Sequence, residues 1–493
     1  MGALPAGFGL VLDPALRRFR DGTVLAGGRP GRVLTLTPAG ARALDAFVAG
    51  GEVDEATRSL AGRLVASGMA HPRRPADTVR TIRPRTDACT TAVTVVIPVR
   101  DRTDELDGCL ASLGRAAPVV VVDDGSRDPE AVAAVCRRHG ARMVRRYANG
   151  GPGAARATGL VHVTTDLVAF VDSDCTVPDH WLDGLAWHFT DPDVGAVAPR
   201  VRPAAVDPYR SCRVAHRFGL AHSPLDLGPD QGEVGPDRAV RYVPTAAVVV
   251  RRRALEAVGG FDPALRVGED VDLVWRLVDA GWRVRYDPSV EVSHREPDGW
   301  SDLLARRFRY GTSAAPLAAR HPGRLAPVEL RPRPTVAALA LLAGRPGAAA
   351  LVVASSAVPL AATVRPLGIP SAQAWRWAAS GAGWTVMGIG RAATMLALPG
   401  LVGLAASGKR GRRSAIALVL VPPVVDWMRR RPDLDLVRWV AASVADDVAY
   451  GAGVWTGSLR ARSAAALLPT VVRAADEQLP DTLLKSDESV SDR

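Results

Sequence analysis

Apolar residues are distributed in two distinct ways along this chain. Largely apolar runs occupy residues 92–99, 119–122 and 167–171, 141–146 reads as a further, more polar strand, and between them 103–113, 128–138 and 154–161 carry apolar positions at helical spacing. A largely apolar run suits a strand buried on both faces, whereas a repeat near 3.6 marks an amphipathic helix. Their regular alternation predicts an α/β class with a doubly wound, mainly parallel sheet and helices on both faces. Ligands of such sheets bind outside the carboxyl ends of the strands.

The pattern differs on either side of this core. Residues 9–13 and 33–36 read as short strands. Thr37-Pro38 then opens a helix over 39–47, with threonine as N-cap and proline in the first turn. A second helix is predicted over 54–67, placing Ala56, Leu60, Leu64 and Val65 on one face. Residues 1–75 therefore suggest a small winged-helix-like α+β module, serving either as a docking domain or as a structural cap. Residues 76–91 read as a linker, and 92–325 as the core. Over 326–430 no acid appears between Glu329 and Asp426, while arginines punctuate the apolar runs 347–364, 377–390 and 392–407. These runs are short against the roughly 20 residues that cross a bilayer. Three arrangements are open: weak spanning or re-entrant helices, helices lying on the inner leaflet, and soluble helices packed on the core. Basic flanks without acids favour attraction to an anionic membrane surface. Residues 431–493 are expected to form a helical C-terminus with a polar, disordered tail.

Composition removes some partners. The formal charge is +11, but of 62 basic residues only Lys409 and Lys485 are lysines. That skew, with abundant Ala, Val and Gly, reads as coding bias, and no run pairs basic residues with exposed aromatics. No nucleic-acid partner is expected. The five cysteines, Cys89, Cys109, Cys136, Cys175 and Cys212, are scattered and lack metal spacing, which suits a reducing compartment. No basic segment with an apolar h-region opens the chain, so a cytoplasmic location, with association at the inner face of the membrane, is expected.

The chemistry gathers at predicted strand ends, in Pro98-Val99-Arg100-Asp101, Asp123-Asp124-Gly125-Ser126 and Asp172-Ser173-Asp174. Two carboxylates one residue apart repel unless a cation lies between them, and Mg2+ or Mn2+ bridging to a diphosphate would supply that charge. A solvated loop is the plain alternative. Further on, Gly268-Glu269-Asp270-Val271-Asp272 places carboxylates in a first helical turn, where the macrodipole favours them. Asp272 and Arg276 lie one turn apart and suit a helix-surface ion pair.

These motifs, over roughly residues 92–300, resemble the inverting family 2 glycosyltransferases of GT-A fold. The resemblance implies that Pro98, Arg100, Asp123 and Asp124 bind the nucleotide, Asp123 accepting from the uracil N3–H of a UDP-sugar. Asn149–Arg156 resembles the family's glycine-rich turn, with Arg156 and Asp172 on the donor side. Asp172, Asp174 and His294 would hold Mn2+ or Mg2+, although His294 also suits a structural strand cap. Asp270 would be the general base, and Glu269 would shape the site. The chain lacks the Gln-x-x-Arg-Trp motif of processive synthases, and Pro98–Arg102 is not the Lys-bearing loop of a nucleotidyltransferase.

The whole architecture resembles, within that family, the glycosyltransferases of mycofactocin biosynthesis. That implies glucose transfer from UDP-glucose to premycofactocin, a peptide-derived small-molecule acceptor, building a short β-1,4-linked chain. It also implies a biosynthetic partner protein docking at the N-terminal module. The alternatives are an enzyme acting on a lipid-linked or cell-wall intermediate, and a non-catalytic nucleotide-sugar-binding scaffold.

Overall fold

The computed structural model describes residues 3–28, 31–75, 93–204 and 213–472, so the predicted linker and the polar tail lie outside the described residues. The first module contains more strand than its apolar pattern predicts. β1 (Gly9–Leu12) pairs antiparallel with β5 (Ala70–Arg73), while β2 (Arg17–Phe19), β3 (Val24–Gly27) and β4 (Arg32–Thr35) form a second small antiparallel sheet. Arg-Arg-Phe and Ala-His-Pro-Arg have no strand periodicity of their own, so pairing rather than local pattern sets β2 and β5. Thr37 caps the helix Pro38–Val48 as expected, accepting from the Gly40 N–H at 3.1 Å. The second helix starts at Arg58 instead of residue 54. Asp54 and Thr57 exchange backbone-to-side-chain hydrogen bonds of 2.9 and 3.0 Å, which satisfy a separate turn ahead of it.

The core sheet has nine strands, β6 (Val93–Val99), β7 (Val119–Asp124), β8 (Arg142–Arg146), β9 (Leu167–Val171), β10 (Cys175–Thr176), β11 (Val194–Pro203), β12 (Gly232–Val234), β13 (Ala247–Arg251) and β14 (Arg283–His294). Their order is β10-β14-β11-β13-β9-β6-β7-β8, with β12 also on β14. β6 to β9 pair in parallel, as does β11 with β14. β13 runs against both its neighbours, and β10 and β12 run against β14. The arrangement is the mainly parallel α/β GT-A fold, parallel in its first half and mixed in its second.

Strand alternation decides where the strand-end carboxylates go. Val95, Ile97, Val121, Ala169 and Val171 pack into the core on one face, and Val96, Val120, Val122, Val168 and Phe170 into that on the other. Asp124 continues the second set, on the side of the helix Pro152–Leu160, whereas Asp123 continues the first.

Among the described residues the C-terminal third is a bundle of six α-helices, Pro332–Leu342, Pro346–Val364, Ser371–Leu396, Leu398–Ala406, Lys409–Arg430 and Leu436–Ala461. The predicted run 392–407 is not one element, because the chain bends by 106° between Ser371–Leu396 and Leu398–Ala406, where Pro399 enters the first turn. Among the described residues, one segment, Pro346–Leu367, is long and apolar enough to cross a membrane. Its Leu360, Ala361 and Val364 cover Val24, Ala26 and Val33 of the N-terminal sheet.

The last helix crosses Trp300–Thr312, a helix of the core, at a contact only glycine permits. A Cβ on Gly311 would stand 2.1 Å from the Tyr450 carbonyl oxygen, and one on Gly453 would stand 2.0 Å from that of Phe308. Backbone therefore lies on backbone, which carries Tyr450, Asp446 and Asp447 up to the core. Gly453→Val should separate the two helices and lower stability by about 1–3 kcal/mol, as overpacking of a filled interior does. Equilibrium urea unfolding measures this, and a change within a few tenths of a kcal/mol would mean the crossing is looser than drawn.

Candidate active site

Two loops at the carboxyl ends of β6 and β7 are joined by hydrogen bonds. Asp101, with φ of 55°, donates its N–H to Ser126 Oγ at 2.9 Å and accepts from the Arg127 N–H at 2.7 Å. A left-handed non-glycine residue at a strand end persists only when its surroundings hold it there. Asp123 is fully buried, and its Oδ1 accepts from the Ser126 N–H at 2.8 Å. Its buried Oδ2 receives no hydrogen bond, with Arg145 Nε 4.0 Å away. Pro98 lies in β6, and Arg100 beside it is half exposed.

Asp124 and Arg156, given to the nucleotide by resemblance, are engaged with protein partners in this structure. Both Asp124 oxygens are engaged, by Arg146 Nε at 2.8 Å and by the N–H groups of Gly150 and Gly151 at 3.0 and 2.8 Å. The residue thus positions the glycine-rich turn. Gly151 takes φ of 88° there, and Gly153 lies so close to Glu269 that a Cβ would meet its Cγ at 3.0 Å. The turn brings Arg156, 2% exposed, between two carboxylates, where it donates to Asp172 at 2.5 Å and to Glu269 at 2.8 Å. Burial opposes the charge on Arg156, but Asp172 and Glu269 more than restore it, so the guanidinium is an internal counter-ion.

Asp174 pairs with Arg102, and its Oδ1 lies 3.6 Å from His294 Nε2. On its other side His294 Nδ1 faces Glu296 at 3.6 Å. Glu296 is buried and also accepts from Ser223 Oγ at 2.6 Å and from Arg306. Burial works against its charge, yet His294 and Arg306 hold its carboxyl down to about 2. A carboxylate behind a histidine that faces a second carboxylate is how proteins orient a metal-ligating imidazole. Asp172, however, is turned toward Arg156. Among the described residues no three His, Cys, Asp or Glu side chains form a ready metal cage. Asp174 and His294 alone would leave a divalent cation to take its remaining ligands from non-protein oxygens, such as those of a diphosphate.

Gly268, in a left-handed conformation with φ of 82°, starts the helix Glu269–Asp279. Asp270 faces the cavity, with its Oδ1 accepting from the Val271 N–H at 2.8 Å. Enclosure and then the charge of Glu269 push its carboxyl up to about 7. The ion pair expected on the helix surface, Asp272 with Arg276, exists but is buried on the Asp272 side. There Asp272 also accepts from His321, at 2.9 Å. A cavity of about 830 Å3 contains Asp172, Asp174, His294 and Asp270 together. Its far wall, formed by Arg306, Tyr310 and Tyr450 from helices after the core sheet, was not marked by any motif. Neither were Arg102 and Glu296.

Residues 91–313 match the model of a family described as glycosyltransferase like family 2. Over 498 aligned positions the chain is 37% identical to the pre-mycofactocin glycosyltransferase of Mycobacterium tuberculosis, across 95% of this chain and 98% of that one. The chain belongs to the pre-mycofactocin glycosyltransferases. It is a glycosyltransferase of the mycofactocin pathway, and the scaffold reading is set aside. The enzyme is also 30% identical to the N-acetylglucosaminyl-diphospho-decaprenol L-rhamnosyltransferase of that organism, across 39% of this chain and 72% of that one. Among solved structures, a mannosyltransferase from Pyrobaculum calidifontis in complex with GDP-Man and Mn2+ is 21% identical. It covers 72% of this chain and 86% of its own, with a TM-score of 0.40, a likeness that fixes neither donor nor metal.

Arg156→Ala should destabilise the enzyme by about 3–5 kcal/mol, because it leaves the buried Glu269 carboxylate without its counter-ion and also frees the partly exposed Asp172. Arg156→Lys keeps the charge without the fork and should fall between. Urea denaturation of the three proteins measures the order. Equal stability of Arg156→Ala and the parent would show that the bridge is not made.

Proposed function

We propose that the enzyme transfers glucose from UDP-glucose to premycofactocin with inversion, and extends the product into a short β-1,4-linked oligoglucoside. The observation that carries this reading is Asp270, a carboxylate held near neutrality in the same cavity as the Asp172–Asp174 motif and His294. A general base works best with a pKa close to the operating pH. In the proposed step Asp270 takes the proton from the acceptor hydroxyl as its oxygen attacks C1, while UDP leaves from the opposite face. The buried Oδ2 of Asp123 receives no hydrogen bond among the described residues, and the family resemblance gives it to the uracil N3–H, which cytosine lacks. Asp174 and His294, with Asp172 nearby, would hold Mn2+ or Mg2+. Bound there, the cation would offset charge on the diphosphate. Glu269 keeps Arg156 in place, and its charge helps keep Asp270 basic.

The sign of the pH dependence follows from Asp270. The base acts deprotonated and its carboxyl lies near 7, so kcat/KM should rise as pH increases through 7 and level above it. Asp270→Asn should still bind UDP but lose about 10²–10⁴-fold in turnover, and the rising limb with it. A variant within a few-fold of the parent would remove Asp270 from this role. Calorimetry with UDP-glucose should show binding that needs Mn2+ or Mg2+ and is weakened in Asp174→Ala. Equal binding with and without metal would separate the donor from the Asp-x-Asp motif.

The surface of the C-terminal bundle supports a proposed contact with the inner leaflet. Leu351 and Val402 are 73 and 69% exposed, and the segment from Arg331 to Arg413 that holds both contains basic residues but no acid. Apolar side chains with cationic flanks suit a helix lying in an anionic interface. The enzyme should co-sediment with vesicles rich in anionic phospholipid, and Leu351→Asp with Val402→Asp should release it. Equal partition without vesicles would rule the contact out. The same surface gives the second acceptor reading, a lipid-linked intermediate, a specific basis. Parallel assays with premycofactocin and a polyprenyl-diphosphate sugar separate the two.

A further inference from the structure

The cavity that contains Asp270 continues past the helix Trp300–Thr312. A second cavity, of about 330 Å3, abuts it and shares Pro224, Tyr242, Arg307 and Tyr450 with it. Its remaining walls are His222, Ser223 and Asp226 of the core, the last paired with Arg200, and residues of three separate helices of the bundle. Arg391 and Met395 lie on Ser371–Leu396, Arg430 on Lys409–Arg430, and Asp447 on Leu436–Ala461.

Most charged groups around this cavity are already paired. Arg307 contacts Asp446 at 2.7 Å and lies over the Tyr450 ring at 5.3 Å, and Arg430 Nε donates to both oxygens of Asp426. Arg391 and Asp447 are the exceptions. Neither makes a hydrogen bond or ion pair among the described residues, although both line the cavity. Burial of Asp447 pushes its carboxyl up to about 6, against the opposing charge of Arg391. Asp447 is partly exposed at the cavity wall and takes no donor from the described side chains, so its carboxylate is available to a polar ligand that enters the cavity. Acceptor and donor stand open beside two tyrosines, Tyr242 and Tyr450. An anion would be opposed by Asp447 and a cation by Arg391 and Arg430. A neutral polyhydroxyl chain is opposed by neither, can place its apolar ring faces on the tyrosines, and can satisfy both open groups with hydroxyls.

We propose that this second cavity is a subsite for the sugars already attached to the acceptor, which hold the chain so that its terminal hydroxyl reaches Asp270. The proposal rests on the reading of the enzyme as one that adds sugars repeatedly. Arg391→Ala and Asp447→Ala should leave addition of the first sugar within about twofold but slow later additions about tenfold, read as KM for a monoglucosylated against an unglucosylated acceptor. The product ladder in mass spectra should shorten accordingly. Cellotriose, titrated into full-length enzyme with UDP present, should bind the parent and not Asp447→Ala. An unchanged ladder, an equal loss at both steps, or a parent that adds one sugar and stops would each overturn the subsite. If the parent transfers no glucose to premycofactocin, the functional reading fails. The cellotriose titration then decides the subsite by itself, since no binding to the parent overturns it.

Discussion

One buried guanidinium holds the donor and acceptor halves of this enzyme together. Arg156 reaches Asp172 at the end of β9 and Glu269 at the start of the helix that bears Asp270, residues 97 positions apart in sequence. The gain from such a bridge is offset by the desolvation of all three groups, so its value lies in geometry more than in net stability. It depends in turn on the glycine turn that Asp124 holds, since Gly153 leaves room for Glu269. A side chain at that point would shift the carboxylate, and the base beside it would follow.

The environment of the base is assembled from three separate parts of the chain. The helix Glu269–Asp279 supplies Asp270, the core helix Trp300–Thr312 supplies one wall, and Tyr450 comes from the last helix. Removing water from the carboxylate is what raises it toward neutrality. The glycine crossing at Gly311 and Gly453 is therefore chemical as well as architectural, because it brings Tyr450 to that wall.

The catalytic core was legible because its signals are local. Apolar runs ending in Asp123 and Asp172 gave both the strands and the ligand edge, and Thr37 gave a helix start. The partners of Asp124 and Arg156 cannot be read from the chain, since an ion pair across 113 positions leaves no trace in spacing. β2, β3 and β5 lie outside the strands that the pattern marks, and β2 and β5 need no alternation of their own because pairing sets them. Tyr450, Arg306 and Glu296 carry no motif, and only tertiary packing brings them to the cavity.

The sheet of β2 to β4 is made at the start of synthesis, while its cover, Leu360, Ala361 and Val364, arrives some 330 residues later. At about 5–20 residues per second the ribosome needs on the order of tens of seconds to deliver it. During that interval Val24, Ala26 and Val33 face water or a chaperone. The nascent chain thus passes through a long stage in which its first domain is made but not yet closed, and pausing before residue 364 would prolong its exposure to proteases and to other nascent chains.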